Sequence, residues 1–355
     1  MPQRGLLIAG WFFAAGLGFS AHAQQAPHAL PADPSAQMDL SFYQGPKGTL
    51  AIRAVQGTKG GPAVSGDEAE LILFHNNAPV KRYPLTLDAR GSASVSDMPL
   101  AMKLRPMVRV RHAGVYYQQL GEPLDEGKPQ ASMDVLVYEV TETRPEWKIV
   151  LRQVVYDRQD DLTDVAETVI VENPTDRTWL GGPADAQGRR PTISLGLPPG
   201  ASDVQLQRGF HGWCCTAFNN PELVVQMPLM PGTMTYQFGY SVHERDGQTD
   251  LRVASAAPID HAVVYVPESD SVLQAVAIAP AGTEQVGGKP ARLYQAKPLA
   301  ANTPFGVTLA PLPKVPQTAD AASSDDRRIV WVSAAGGAVA IGIIVLLAIK
   351  RVFLK

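Results

Sequence analysis

Both cysteines of this 355-residue chain are neighbours, Cys214 and Cys215, and His211 stands three residues ahead of them. Thiolate and imidazole together suit zinc or copper(I), so the trio is a candidate metal site. Three other readings compete with it. The two thiols can bridge each other, although neighbouring Cα atoms lie only ~3.8 Å apart and an ordinary disulfide wants at least ~4.4 Å. They can bond to another polypeptide by thiol exchange. They can also be small buried residues without chemistry. A four-ligand metal site needs one more donor, for which His243 and His261 are the candidates. Phe210, Trp213 and Phe218 flank the pair, and Gly209 and Gly212 permit sharp bends. An exposed loop makes these aromatics a docking patch; a folded-back loop makes them core plugs.

Other constellations are absent. The sequence has no nucleophile elbow, no H-E-x-x-H pair, no phosphate-binding glycine loop, no EF-hand loop and no C-x-x-C-H haem site. Asp157, Asp160, Asp161 and Asp164 cluster between two expected strands, where they read as an acidic hairpin tip and, in the alternative, as calcium ligands. His75, His112, His243 and His261 read as ordinary hydrogen-bonded side chains near strand ends. No catalytic residue is expected, and therefore no enzyme.

The elements that hold these residues read as strands. Thr49–Val55 alternates, with Leu50 and Ile52 on one face; residues 69–74, 83–87, 108–112, 115–117 and 134–140 continue the pattern. A polar, proline-ended junction spans Thr141–Pro145. Beyond it, residues 147–156, 166–172, 193–197, 223–227, 234–242, 251–254, 262–266, 274–279 and 291–294 form a second series. No segment has sustained helical periodicity until the C-terminus. Short strands at this spacing, punctuated by Gly and Pro, predict an all-β chain of two tandem β-sandwich domains, residues 40–143 and 146–311.

The ends predict the compartment. Arg4, the apolar run Leu6–Ala15 and Ala21-His22-Ala23 make residues 1–23 a signal peptide. Residues 24–39 read as a flexible leader and 312–326 as a stalk. Ile329–Ile349 is 21 residues without a charge, long enough to cross a hydrocarbon core of about 30 Å. The expected layout is a single-pass protein of a bacterial envelope. Most of the chain is periplasmic, and residues 350–355 are cytoplasmic. Gly336 and Ala340, and Ala338 and Gly342, have spacing that permits helix dimerisation. A net charge of −3 without a basic tract excludes a nucleic-acid partner.

Gly48, Ala69, the run Leu87-Asp88-Ala89-Arg90-Gly91, and Val108–Tyr117 with its Gly114 give Thr49–Thr141 a familiar order. This stretch resembles the carboxypeptidase regulatory-like, or transthyretin-like, family of seven-stranded sandwiches, which is also immunoglobulin-like in architecture. Val137–Thr141, Val171–Pro174, Leu197–Ala201, and Pro231-Gly232 before Phe238-Gly239-Tyr240 extend the likeness. The larger group it resembles is one of uncharacterised bacterial envelope proteins that add a second β domain and a C-terminal span. In the carboxypeptidases the module is an accessory, so the resemblance implies a scaffold or binding role without peptidase activity. The expected function is a non-enzymatic, membrane-anchored module that binds an envelope protein or polymer and needs no cofactor. The alternative is a thiol- or metal-handling accessory factor, with zinc or copper at His211, Cys214 and Cys215.

Overall fold

Alternating side chains organise the first seven strands. The computed structural model describes residue 40, residues 43–159 and residues 161–312. The signal peptide, the leader, the membrane span with its small-residue pairs, the cytoplasmic tail and all but the first residue of the stalk lie outside these. β1 (Lys47–Gln56), β2 (Glu68–His75), β3 (Ala78–Thr86), β4 (Ser92–Pro99), β5 (Arg105–His112), β6 (Val115–Leu120) and β7 (Gln130–Val137) form two sheets, ordered β4-β1-β7 and β3-β2-β5-β6. Period-two geometry sends Leu50, Ile52 and Ala54 of β1 to the same side as Val135 and Val137 of β7. Leu71 and Leu73 of β2 and Val108 and Val110 of β5 meet them, and one core closes between the sheets. Strand β4 escaped the sequence reading because it commits few apolar residues, chiefly Val95 and Met98, to that core.

The junction is not a bare linker. β8 (Val140–Thr141) pairs in parallel with β11 (Thr178–Trp179). Tyr117 donates its hydroxyl hydrogen bond to the Tyr138 carbonyl at 2.8 Å and shares a second contact, also 2.8 Å, with Thr178 Oγ1. Thr58 Oγ1 donates to the Asp176 carbonyl. Leu180 and Met230 pack against the first core.

The remaining strands are β9 (Lys148–Gln159), β10 (Leu162–Asn173), β12 (Ile193–Gly196), β13 (Ala201–Leu206), β14 (Thr216–Asn219), β15 (Glu222–Val225), β16 (Gly232–His243), β17 (Thr249–Asp250), β18 (Ile259–Pro267), β19 (Val272–Val276), β20 (Ala279–Val286), β21 (Lys289–Gln295) and β22 (Gly306–Leu309). Seven of them make one sheet, β13-β16-β10-β9-β18-β21-β20, in which β9 and β18 are parallel. Val165 and Val169 of β10, Tyr236 and Phe238 of β16 and Val264 of β18 point from one face into a large core. Two small sheets, β12-β15-β14 and β17-β22-β19, contribute Leu195, Leu223 and Val307 to that same core. Leu151, Val263, Tyr265 and Leu293 form a separate cluster.

This arrangement refines the simple second sandwich expected from the strand spacing. Residues 274–279 are not one strand: Ala277 takes φ +53°, and the chain leaves β19 for β20 there. Residues 251–254 make only an isolated bridge, Val253 to Phe305. The described residues contain no helix long and apolar enough to cross a membrane.

Candidate thiol and imidazole site

A glycine, a buried phenylalanine and a tight turn build the site. After β13 the chain reaches Gly209 at φ +91°, a conformation that L-residues rarely adopt. A side chain there would collide with the Thr235 carbonyl oxygen, so only glycine lets the loop lie against β16. Gly209→Ala is expected to destabilise the fold by about 1–3 kcal/mol, with a lower urea midpoint as the readout; an unchanged midpoint would mean that the loop swings clear of β16 at no cost.

Phe210 follows and turns inward. It is 5% exposed, with ring centroids 5.1 Å from Tyr236 and 5.9 Å from Phe238. Gly212 again takes a positive φ, +95°. The Cys215 amide donates to the Gly212 carbonyl, and the Gln226 amide donates to the Cys215 carbonyl. That turn brings His211, Cys214 and Cys215 onto one side. Their ligand atoms all lie within 4.8 Å of one another. His211 Nδ1 is 3.7 Å from Cys214 Sγ and 3.9 Å from Cys215 Sγ. The two sulfurs are 3.1 Å apart and both cysteines are free thiols, so the bridged form is not the one seen. The fully buried reading fails too, since Cys214 is exposed and Cys215 half-buried.

The surroundings tune the ligands. Burial, aided by the positive charge of Arg109, holds the His211 imidazole below its ordinary pKa of 6.5. Burial and the neighbouring Cys214 push the Cys215 thiol up to about 11, against a smaller opposite pull from Arg189. Arg109 and Arg189 were missed by sequence reasoning. Arg109 belongs to β5 and arrives through the tertiary fold, for which the sequence carries no local signal.

The other candidates separate. Of the three aromatics proposed for docking, Phe210 is a core residue and Phe218 packs partly buried against the same core. Only Trp213, 49% exposed, is available to a partner. Neither His243 nor His261 belongs to the converging group. His243 lies 3.9 Å from Asp161, and His261 sits within β18, opposite Leu151 of β9. His112 is hydrogen-bonded between Asp67 and Glu139. At the acidic tip, Asp157 pairs with Lys289 and Asp164 accepts from Ser241, while Asp160 lies outside the described residues. Among the described residues these aspartates form no converging group.

Compared with known proteins, the chain matches no family model and no curated sequence.

Proposed function

We propose that this chain is an exported, membrane-anchored and non-enzymatic accessory protein of the cell envelope, whose working part holds a soft metal ion at His211, Cys214 and Cys215. One observation carries the reading: a nitrogen and two sulfurs converge with edges of 3.1, 3.7 and 3.9 Å. A point equidistant from these three atoms is about 2.1 Å from each, near the ~2.0–2.1 Å of a zinc–nitrogen bond and the ~2.3 Å of a zinc–sulfur bond. A small outward movement of the sulfurs completes the fit. The thiol-exchange alternative is less well served at Cys215, because attack requires a thiolate and the raised Cys215 stays protonated at neutral pH. A bound cation displaces that proton directly.

The test uses the full-length chain, purified reduced in mild detergent. One zinc or copper(I) ion per chain is expected, and Cys214→Ser and Cys215→Ser should each abolish stoichiometric binding. Affinity should rise with pH. Cys215 is protonated below about 11, so its displaced proton adds about one logarithmic unit of affinity per pH unit across the neutral range. His211, held below 6.5, is already neutral at pH 7 and contributes pH dependence only on further acidification. Two free thiols that take up no metal at any pH would overturn the proposal.

A second reading, docking to an envelope protein or polymer, is favoured by the exposure of Trp213 beside the thiols. Loss of a captured envelope partner in Trp213→Ala, with metal binding intact, would support it.

A further inference from the structure

Resting on that metal-site reading, we infer that the ion is copper(I), bound by three ligands and exchanged through Cys214. Ligand number is the first argument. The converging group supplies one nitrogen and two sulfurs, and no fourth histidine, cysteine or carboxylate of the described residues joins it. Structural zinc sites close with four protein ligands and a Cys₂His zinc keeps a water in its fourth position, whereas copper(I), equally suited to soft thiolates, needs no fourth donor. Shape is the second. Edges of 3.1, 3.7 and 3.9 Å put all three donors about 2.1 Å from one point between them, so an ion there touches all three without a fourth ligand.

Charge is the third argument, and it separates the two metals. Two thiolates and a neutral imidazole leave a net charge of −1 around copper(I) and of zero around zinc(II). Arg109 acts on His211 and Arg189 acts on Cys215, so both ligands feel positive charge, reduced at Arg189 by its Asp185 partner at 3.0 Å. That charge favours the anionic complex. Arg109 is itself anchored by Glu70 at 2.7 Å and lies over the Tyr116 ring at 4.7 Å. Its charge is therefore held in place, though partly offset by that carboxylate.

Exposure gives the route. His211 and Cys215 are half-buried, whereas Cys214 is exposed. An incoming thiolate or thioether can reach the ion from the Cys214 side and displace that ligand first. Loading from a copper(I) chelate moves one Cu⁺ to the protein and releases the two thiol protons to the buffer, with no change in oxidation state.

The experiment titrates the reduced full-length chain anaerobically with copper(I) bicinchoninate, and separately with zinc sulfate. Metal-edge X-ray absorption then reads the coordination. The expected result is one copper(I) per chain with two sulfurs and one nitrogen, undisplaced by equimolar zinc. Arg109→Gln should weaken copper(I) by about tenfold, the range seen when outer-shell support is lost, and leave zinc affinity unchanged. A merely structural role for Arg109 would weaken both metals alike. Zinc binding that outcompetes copper(I), or a four-coordinate ion, would overturn this inference and leave the metal-site reading standing. Binding of neither metal would overturn both.

Discussion

Glu167→Ala should destabilise the protein by about 3–5 kcal/mol, the usual cost of stranding one partner of a buried ion pair. Arg152 of β9 and Glu167 of β10 both have side chains at 0% exposure. The guanidinium donates to the two carboxylate oxygens at 2.7 and 3.0 Å. It also donates to the Gly196 carbonyl at 2.6 Å, which ties the large sheet to β12. Tyr240 donates its hydroxyl to Glu167 at 2.7 Å, and Phe305 lies under the guanidinium. Burial works against the charged arginine, but Glu167 outweighs it and keeps the proton on.

Alanine at 167 removes this compensation and leaves a cation inside an apolar core. Net stabilities are only about 5–15 kcal/mol, so the variant should unfold at a much lower urea concentration. The control is Arg152→Met combined with Glu167→Leu. Apolar replacement of both partners is often neutral or stabilising, so the double variant should recover most of the loss. Equal losses in the single and double variants would show that the network matters for its shape and not for its charge.

Phe210→Ala is expected to be nearly as severe, at about 3–5 kcal/mol, and to reach the metal site as well. Phe210 fills the space between Tyr236 and Phe238 and is the residue immediately before His211. Its loss leaves a cavity beneath the loop and frees the backbone that aims the imidazole. Metal affinity should fall together with the urea midpoint. Trp213→Ala is the contrast, since an exposed side chain away from special geometry changes stability by no more than about 0.5 kcal/mol. If Phe210→Ala lowers stability but leaves metal affinity untouched, then the Cys215–Gly212 turn and the Gln226–Cys215 hydrogen bond suffice to hold the ligands.

Much of this was legible in one dimension. Alternation at Leu50 and Ile52 announced a half-buried strand, because successive side chains of a strand point to opposite faces. The spacing of His211, Cys214 and Cys215 allowed a single turn to gather them, since glycines flank the histidine and the contact is local. Strand β4 and the break at Ala277 were not legible. The first carries too few apolar residues, and the second is a conformation of an ordinary alanine that no residue type announces.

The deeper choices belonged to the tertiary structure. Phe210 and Trp213 are both large aromatics in the same loop, and their types give no reason for one to be buried and the other exposed. β16 decides it by presenting Tyr236 and Phe238 to the first. Arg152 and Glu167 read as polar residues of a strand, the type expected on a solvated face, until β12 and β16 enclose them. The electrostatics of the thiol site depend likewise on Arg109, carried by a strand of the other core. Periodicity and local spacing are properties of neighbours along the chain, so sequence alone determines them. Burial and field depend on which distant segments pack together, and only the folded chain brings those together.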